Sequence, residues 1–343
     1  MIEILAPGAL ATVQDLGRVG HLRFGVGTAG AMDRLALAAG NLMLGNAPGA
    51  AGIEIPVFPF QVRFLSDQAF AVTGGDFAAR LDEHPLLPWW TQRARAGQVL
   101  TLGGPSGQPG AGARAYLLLH GGVDVPVVLG SRSTQLRGQF GGMQGRALAR
   151  GDTLPAGATD TPPVASKPAH GSAGFGIVPP AIALPDTAFS TPRPDGARRA
   201  TAMRVLPAAE YAQFDAPSLQ TFWATDWKIS SQSDRYGYRL SGPALALERA
   251  IETRSHGIVP GVIQVPHGGQ PIVQMRDAQP SGGYPKIGTV IEADLWRLGQ
   301  ARAGSLIRFV PTSYADAVAA LREADAYLDE VRHICALVRQ LNA

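Results

Sequence analysis

Residues 255–291 read SHGIVPGVIQVPHGGQPIVQMRDAQPSGGYPKIGTVI, and this stretch decides the fold. Two short apolar runs, residues 262–265 and 271–275, each give way to polar turns. Their lengths suit strands rather than helices. Between them, Pro266-His267-Gly268-Gly269 combines residues that fix φ with residues that free it, the composition of a tight turn. Beyond them Asp277, Gln279, Ser281, Gly282, Gly283, Tyr284 and Lys286 crowd together. Glycines at 282 and 283 let a backbone approach a ligand closely, and the flanking polar groups could fix its orientation. The plain structural alternative is an ordinary polar hairpin end.

The rest of the chain extends the same pattern. Forty-two glycines and 27 prolines in 343 residues favour many turns and short strands over a helical bundle. Residues 2–5, 58–64, 69–72, 99–102 and 203–206, with Leu81, read as further strands. Residues 31–44 read as a helix with Leu35, Ala39 and Leu42 on one face, Asp33 capping its start and Gly45-Asn46 ending it. A second glycine-rich polar stretch spans 116–134, where a buried-looking strand leads into Gly121-Gly122, Asp124 and Ser131-Arg132-Ser133-Thr134. His120 at the end of that strand reads as a core histidine. Arg132 either grips an anion between two hydroxyls or ties the loop down.

Residues 156–199 are rich in Pro, Ala, Ser, Thr and Gly with little periodicity, and read as a linker. Faint echoes across it, such as Asp15-Leu-Gly-Arg18 against Asp234-Arg235-Tyr-Gly, suggest two related β domains, residues 1–155 and 200–343. The chain closes in a long helix. Ser313 and Asp316 open it in the manner of a capping box, and Ala317, Leu321, Leu328, Val331, Ile334, Val338 and Leu341 recur at three and four. Cys335, beside that stripe, reads as packed rather than reactive.

Composition excludes several classes. A charged fraction of 17% against 45% hydrophobic rules out a disordered chain. The formal charge is only +3 and the arginines are dispersed, so no nucleic-acid partner is expected. One cysteine, no leader-like N-terminus and no long apolar run point to a cytoplasmic protein without a membrane partner. No metal signature, P-loop or nucleophile elbow is present, so neither a metal nor an ATP site is expected on this chain. The candidate site lies in the second half. His256, Asp277 and Lys286 are the candidate catalytic groups. Arg235, Arg239, Gln264, Gln270, Gly282, Gly283 and Tyr284 are the candidate substrate-binding groups. Lysine occurs only at 167, 228 and 286, which makes the one beside the glycine pair hard to dismiss as random surface charge.

Several motifs together resemble one family: TVQDLGR at 12–18, GAMD at 30–33, HGGVDVPVVLGSRST at 120–134, SDRYGYRL at 233–240, GVIQVP at 261–266, GQPIV at 269–273 and SGGYPKI at 281–287. They are similar, in order and over almost the whole chain, to the biotin-dependent carboxyltransferase family. That family includes the 5-oxoprolinase C subunit, also known as the KipI antagonist or allophanate hydrolase subunit 2 family. The resemblance implies a mainly β protein of two cyclophilin-like β-barrel domains with a few helices and a long C-terminal helix. It implies as partners an A subunit together with a KipI-like B subunit, with ATP used by the complex and no cofactor bound by this chain. The substrate would be 5-oxoproline, opened to glutamate. The other functions the resemblance allows are carboxyl transfer to a urea-like amide and antagonism of a KipI-like kinase inhibitor. The family carries a Glu at the position of His256 and a Thr near residues 280–281.

Overall fold

The computed structural model describes residues 1–104, 112–164, 175–185, 200–249 and 253–342. It is mainly β, with a few helices and a long C-terminal one. The chain divides into two compact units. The first comprises Met1–Arg18, Ala29–Ala183 and Asp325–Ala343, and the second Val19–Thr28 and Leu184–Ala324. The division is not the one expected from contiguous stretches: residues 19–28 go with the second unit and 325–343 with the first.

Among the described residues the first unit holds eleven strands: β1 (Ile2–Ala6), β2 (Thr12–Gln14), β3 (Gly52–Ile55), β4 (Phe60–Phe64), β5 (Gln68–Gly74), β6 (Ala79–Leu81), β7 (His84–Pro85), β8 (Thr91–Ala94), β9 (Val99–Leu102), β10 (Ala115–Leu119) and β11 (Thr153–Leu154). They form two sheets, ordered β11-β1-β4-β9-β6-β7 and β2-β3-β10-β5-β8. Alternate residues of both supply one apolar core, among them Ile2, Ile4, Val62, Phe64, Phe70, Leu100, Leu117 and Leu119. Strand β10 is buried along its whole length, which explains its unbroken apolar run. Leu117 and Leu119 face the shared core, while Leu118 meets helix α1 (Arg34–Met43). A Cβ at Gly40 of that helix would lie 2.9 Å from Thr73 Cγ2, so glycine sets how closely helix and sheet pack. The side chain of Asp33 caps α1, accepting from the Ala36 amide at 2.9 Å.

Part of the expected linker is packed rather than free. Val164 is buried, Trp90 bridges to Gly176, and the Phe175 amide donates to Thr91 Oγ1 at 2.9 Å. A short helix, α2 (Pro180–Ala183), follows. Residues 165–174 and 186–199 of that stretch lie outside the described residues.

The second unit contains β12 (Thr201–Pro207), β13 (Trp227–Ile229), β14 (Gly237–Ser241), β15 (His256–Gly257), β16 (Val262–Gln264), β17 (Ile272–Gln274), β18 (Ser281–Gly282), β19 (Lys286–Val290) and β20 (Leu306–Pro311). Seven of these close a barrel in the order β12-β19-β16-β17-β14-β13-β20, and the parallel pair of β20 with β12 completes the ring. Helix α3 (Ala216–Ala224) sets Phe222 against Phe309 of β20, ring centroids 4.7 Å apart. Helix α4 (Leu295–Gly299) precedes β20, and α5 (Tyr314–Asn342) ends the chain. Ser313 and Asp316 exchange the expected capping bonds at the start of α5, at 2.7 and 3.1 Å. The remaining pair, β15 with β18, is a two-residue ribbon of its own.

One irregularity positions the site. Between β16 and β19, Ile263 faces Gly288 but Gln264 faces Lys286, so β19 carries an extra residue at Ile287. Such a bulge re-aims the neighbouring side chain, here Lys286. Gly288 accommodates it: a Cβ there would sit 2.4 Å from Val205 Cγ1 of β12.

Candidate functional site

The glycine pair, the bulge and the small ribbon bring six expected residues together within the second unit. His256 pairs with Gly282 across β15 and β18. Gly282 lies so close to Gln264 that a Cβ would be 2.5 Å from its Nε2. Gln264, 3% exposed, accepts from Gln274 Nε2 at 3.1 Å and turns its own amide toward the Tyr284 carbonyl at 3.5 Å. Lys286, 5% exposed, donates from Nζ to the same carbonyl at 3.2 Å. Its Nζ also lies 3.4 Å from His256 Nδ1. The Tyr284 ring is 45% exposed and stands edge-on to His267 at 6.0 Å. Gly283 is held from behind, its carbonyl accepting from the Thr253 hydroxyl.

Sequence reasoning missed two members. Glu210, between β12 and α3, accepts the Lys286 amide on Oε2 at 3.3 Å and holds Oε1 3.7 Å from His256 Nε2. It lies 76 residues upstream of Lys286, and no local pattern marks it. Gln274 ends an apolar run, where a buried amide in a strand was the available signal.

Burial holds the Lys286 ammonium below the ordinary lysine range, since a desolvated charge is disfavoured; the Glu210 carboxylate pulls the other way but does not offset it. The site thus joins a buried amine, an exposed imidazole (Arg254 O lies 3.0 Å from its Nδ1), a carboxylate and two buried amides. That set can move a proton and orient a small polar or amide-bearing molecule.

Other expected members go elsewhere. Asp277 has both carboxylate oxygens engaged by Arg235, from Nε and a terminal nitrogen at 2.9 Å each, and both side chains are buried. The pair therefore braces the unit, and neither the expected acid–base role of Asp277 nor a substrate-facing charge on Arg235 fits this geometry. Gln270 exchanges two hydrogen bonds with the Gly242 backbone, both 3.0 Å, and so fixes a turn. Arg239 is exposed on β14, its amide held by Ser233 Oγ at 3.0 Å.

The glycine-rich stretch of the first unit resolves to loop structure. Asp15 accepts from Ser131 Oγ, Ser133 Oγ and the amides of Gly17 and Arg132, at 2.5–2.7 Å. Arg132 reaches Asp124 at 2.9 Å and so ties the loop down. His120 is only partly buried, with Nε2 2.9 Å from the Thr161 carbonyl. Among the described residues no three His, Cys, Asp or Glu side chains gather as a metal site requires, and no helix is long and apolar enough to cross a membrane.

Residues 24–311 match the family described as carboxyltransferase domain, subdomain A and B. The chain belongs to this carboxyltransferase-domain family. Its relatives include the C subunit of 5-oxoprolinase from Haemophilus influenzae, 41% identical over 97% of this chain and 98% of that protein. The C subunit of 5-oxoprolinase from Escherichia coli is 39% identical over 96% of this chain and 97% of its own length. Among solved structures, the urea carboxylase of Kluyveromyces lactis superposes with a TM-score of 0.82 at 28% identity, covering 96% of this chain but only 29% of that one. The carboxyltransferase-domain fold is therefore shared with proteins in which it is one part of a much longer chain.

Proposed function

We propose that this carboxyltransferase-domain protein is the C subunit of a bacterial 5-oxoprolinase, acting in the cytoplasm with an A subunit, together with a KipI-like B subunit. The observation that carries the reading is the end-to-end match, 98% and 97% of the two relatives' own lengths, to proteins named as the C subunit of 5-oxoprolinase. In this reading the complex uses ATP to open 5-oxoproline to glutamate, and the chain binds no cofactor and is inactive alone. 5-Oxoproline is a lactam bearing a carboxylate. Opening it requires a proton to be taken from the attacking water and one to be given to the departing nitrogen. Lys286 with His256 supplies those proton sites, Gln264 with the Gly282-Gly283 backbone orients the amide, and Tyr284 offers an exposed ring face at the mouth. Carboxyl transfer to a urea-like amide is the second reading, supported by the superposition on urea carboxylase. Co-expression with the candidate A and B partners, followed by an ATP-dependent assay of glutamate release from 5-oxoproline, tests the first reading. Carboxylation of urea by the chain with a carboxybiotin-charged carrier, without glutamate release, would favour the second.

A further inference from the structure

Lys286 is buried while the imidazole beside it is open to solvent: its side chain is 48% exposed, and Nδ1 stands 3.4 Å from Nζ. A buried amine cannot exchange its proton directly with bulk water at an ordinary rate; it needs a neighbouring base within hydrogen-bond reach. His256 is placed as that base. Its other nitrogen, Nε2, faces Glu210 Oε1 at 3.7 Å, and the second oxygen of the same carboxylate is fixed by the Lys286 amide at 3.3 Å. One glutamate therefore registers the imidazole against the lysine. Glu210 and His256 are the titratable groups that face Lys286, from the loop after β12 and from β15; Tyr284 meets Nζ through its backbone carbonyl, while its exposed ring stands edge-on to His267.

We infer that His256 is the base through which Lys286 loses and regains its proton, and that Glu210 is the positioning residue that holds His256 to this task. In the step, the neutral ring starts with its proton on Nε2, toward Glu210, and its lone pair on Nδ1; Nζ–H of the ammonium breaks and Nδ1–H forms, leaving a neutral amine. The imidazolium then faces the Arg254 carbonyl from Nδ1 and the Glu210 carboxylate from Nε2, an acceptor for each N–H. Loss of that proton to water from the exposed ring frees His256, and a proton taken up from water by the ring and passed back to Nζ restores the ammonium. The inference rests on the reading of Lys286 as the group that acts at this site, and it extends that reading to Glu210.

Only three lysines are present, so ¹⁵Nζ-lysine labelling of the isolated full chain gives three assignable amines. The test measures solvent exchange of the Nζ protons. His256→Gln is expected to slow exchange at Lys286 about a hundredfold, the lower end of what a positioned base contributes, and to leave Lys228 unchanged. Free imidazole in the buffer is expected to restore part of the rate, which a merely structural histidine would not allow. Glu210→Gln is expected to slow Lys286 by roughly tenfold, with the fold intact by circular dichroism. Unchanged exchange at Lys286 in His256→Gln overturns the inference, and unchanged exchange in Glu210→Gln removes Glu210 from it. No partner, ATP or substrate enters the measurement, so its outcome is separate from that of the glutamate-release assay.

Discussion

Arg235 and Asp277, 42 residues apart, meet in a two-bond ion pair with both bonds at 2.9 Å, on side chains 9% and 0% exposed. A pair this dry is more informative about folding than about turnover. Removing Asp277 takes both of these bonds from a buried guanidinium, at a cost of about 3–5 kcal/mol. Asp277→Ala is therefore expected to shift the urea midpoint far to lower concentration, and Asp277→Asn to do so less. An unchanged midpoint with lost activity in the complex would instead place Asp277 on the substrate.

Gly282 gives a sharper test of the site. An added Cβ would lie 2.5 Å from Gln264 Nε2, so the amide must turn away from the Tyr284 carbonyl. The displaced group is the end of a side chain, and the thermal midpoint should fall by only a few degrees. Turnover of the reconstituted complex should drop roughly tenfold, equivalent to about 1.4 kcal/mol of lost transition-state stabilisation. Full turnover in Gly282→Ala would show that Gln264 does not orient substrate.

Much of this arrangement was legible in the residues, and the rest was hidden for identifiable reasons. The runs 262–265 and 271–275 are strands β16 and β17, trimmed at their ends, because two short apolar runs around a Pro-Gly turn have few other ways to bury themselves. The grouping of His256, Gln264, Gly282, Tyr284 and Lys286 followed from their nearness along the chain. Glu210 did not, because the partner of a barrel residue is set by which strands close the ring, and that pairing leaves no local mark. Asp277 misled for a related reason. An aspartate in a polar turn reads as available until the arginine that saturates it is seen. The exchange of residues 19–28 and 325–343 between units was equally invisible, since composition marks linkers and does not mark which core a segment joins.

Lys286 carries a pH signature in stability. Burial lowers its folded-state value below the ordinary lysine value, so between the two the unfolded chain binds more protons than the folded one. Stability contributed through this residue therefore rises as pH climbs through that window toward the unfolded value, and the penalty of the buried charge is fully present below it. Lys286→Met removes the penalty. The variant is expected to gain most over the wild-type chain near neutral pH, with the gain shrinking as pH approaches about 10, the ordinary lysine range, in urea titrations read at several pH values. A gain that stays constant with pH would mean that the lysine titrates alike in both states.

Cys335 reports on how α5 is held. The thiol is fully buried on the face that also carries Tyr327 and Val331, and burial pushes it up to about 11 against the pull of the nearby Arg339. Tyr327 donates to the Val178 carbonyl at 2.9 Å, and Arg339 donates to the Leu42 and Pro162 carbonyls at 2.8 and 3.1 Å, so this stretch of helix is pinned within the first unit from both sides. The thiolate is the reactive form, and both its scarcity and its lack of access slow attack. A disulfide reagent at about pH 8 is therefore expected to modify the native protein at least about a hundredfold more slowly than the urea-unfolded chain, with one equivalent consumed at the end, since this is the only cysteine. Replacing Tyr327 with Phe removes one of the pins and leaves the thiol in place. Its modification rate should rise several-fold, and Arg339→Ala should act in the same direction. Reaction of the native wild-type thiol at the rate of an exposed cysteine would show that the end of α5 does not stay packed within the first unit.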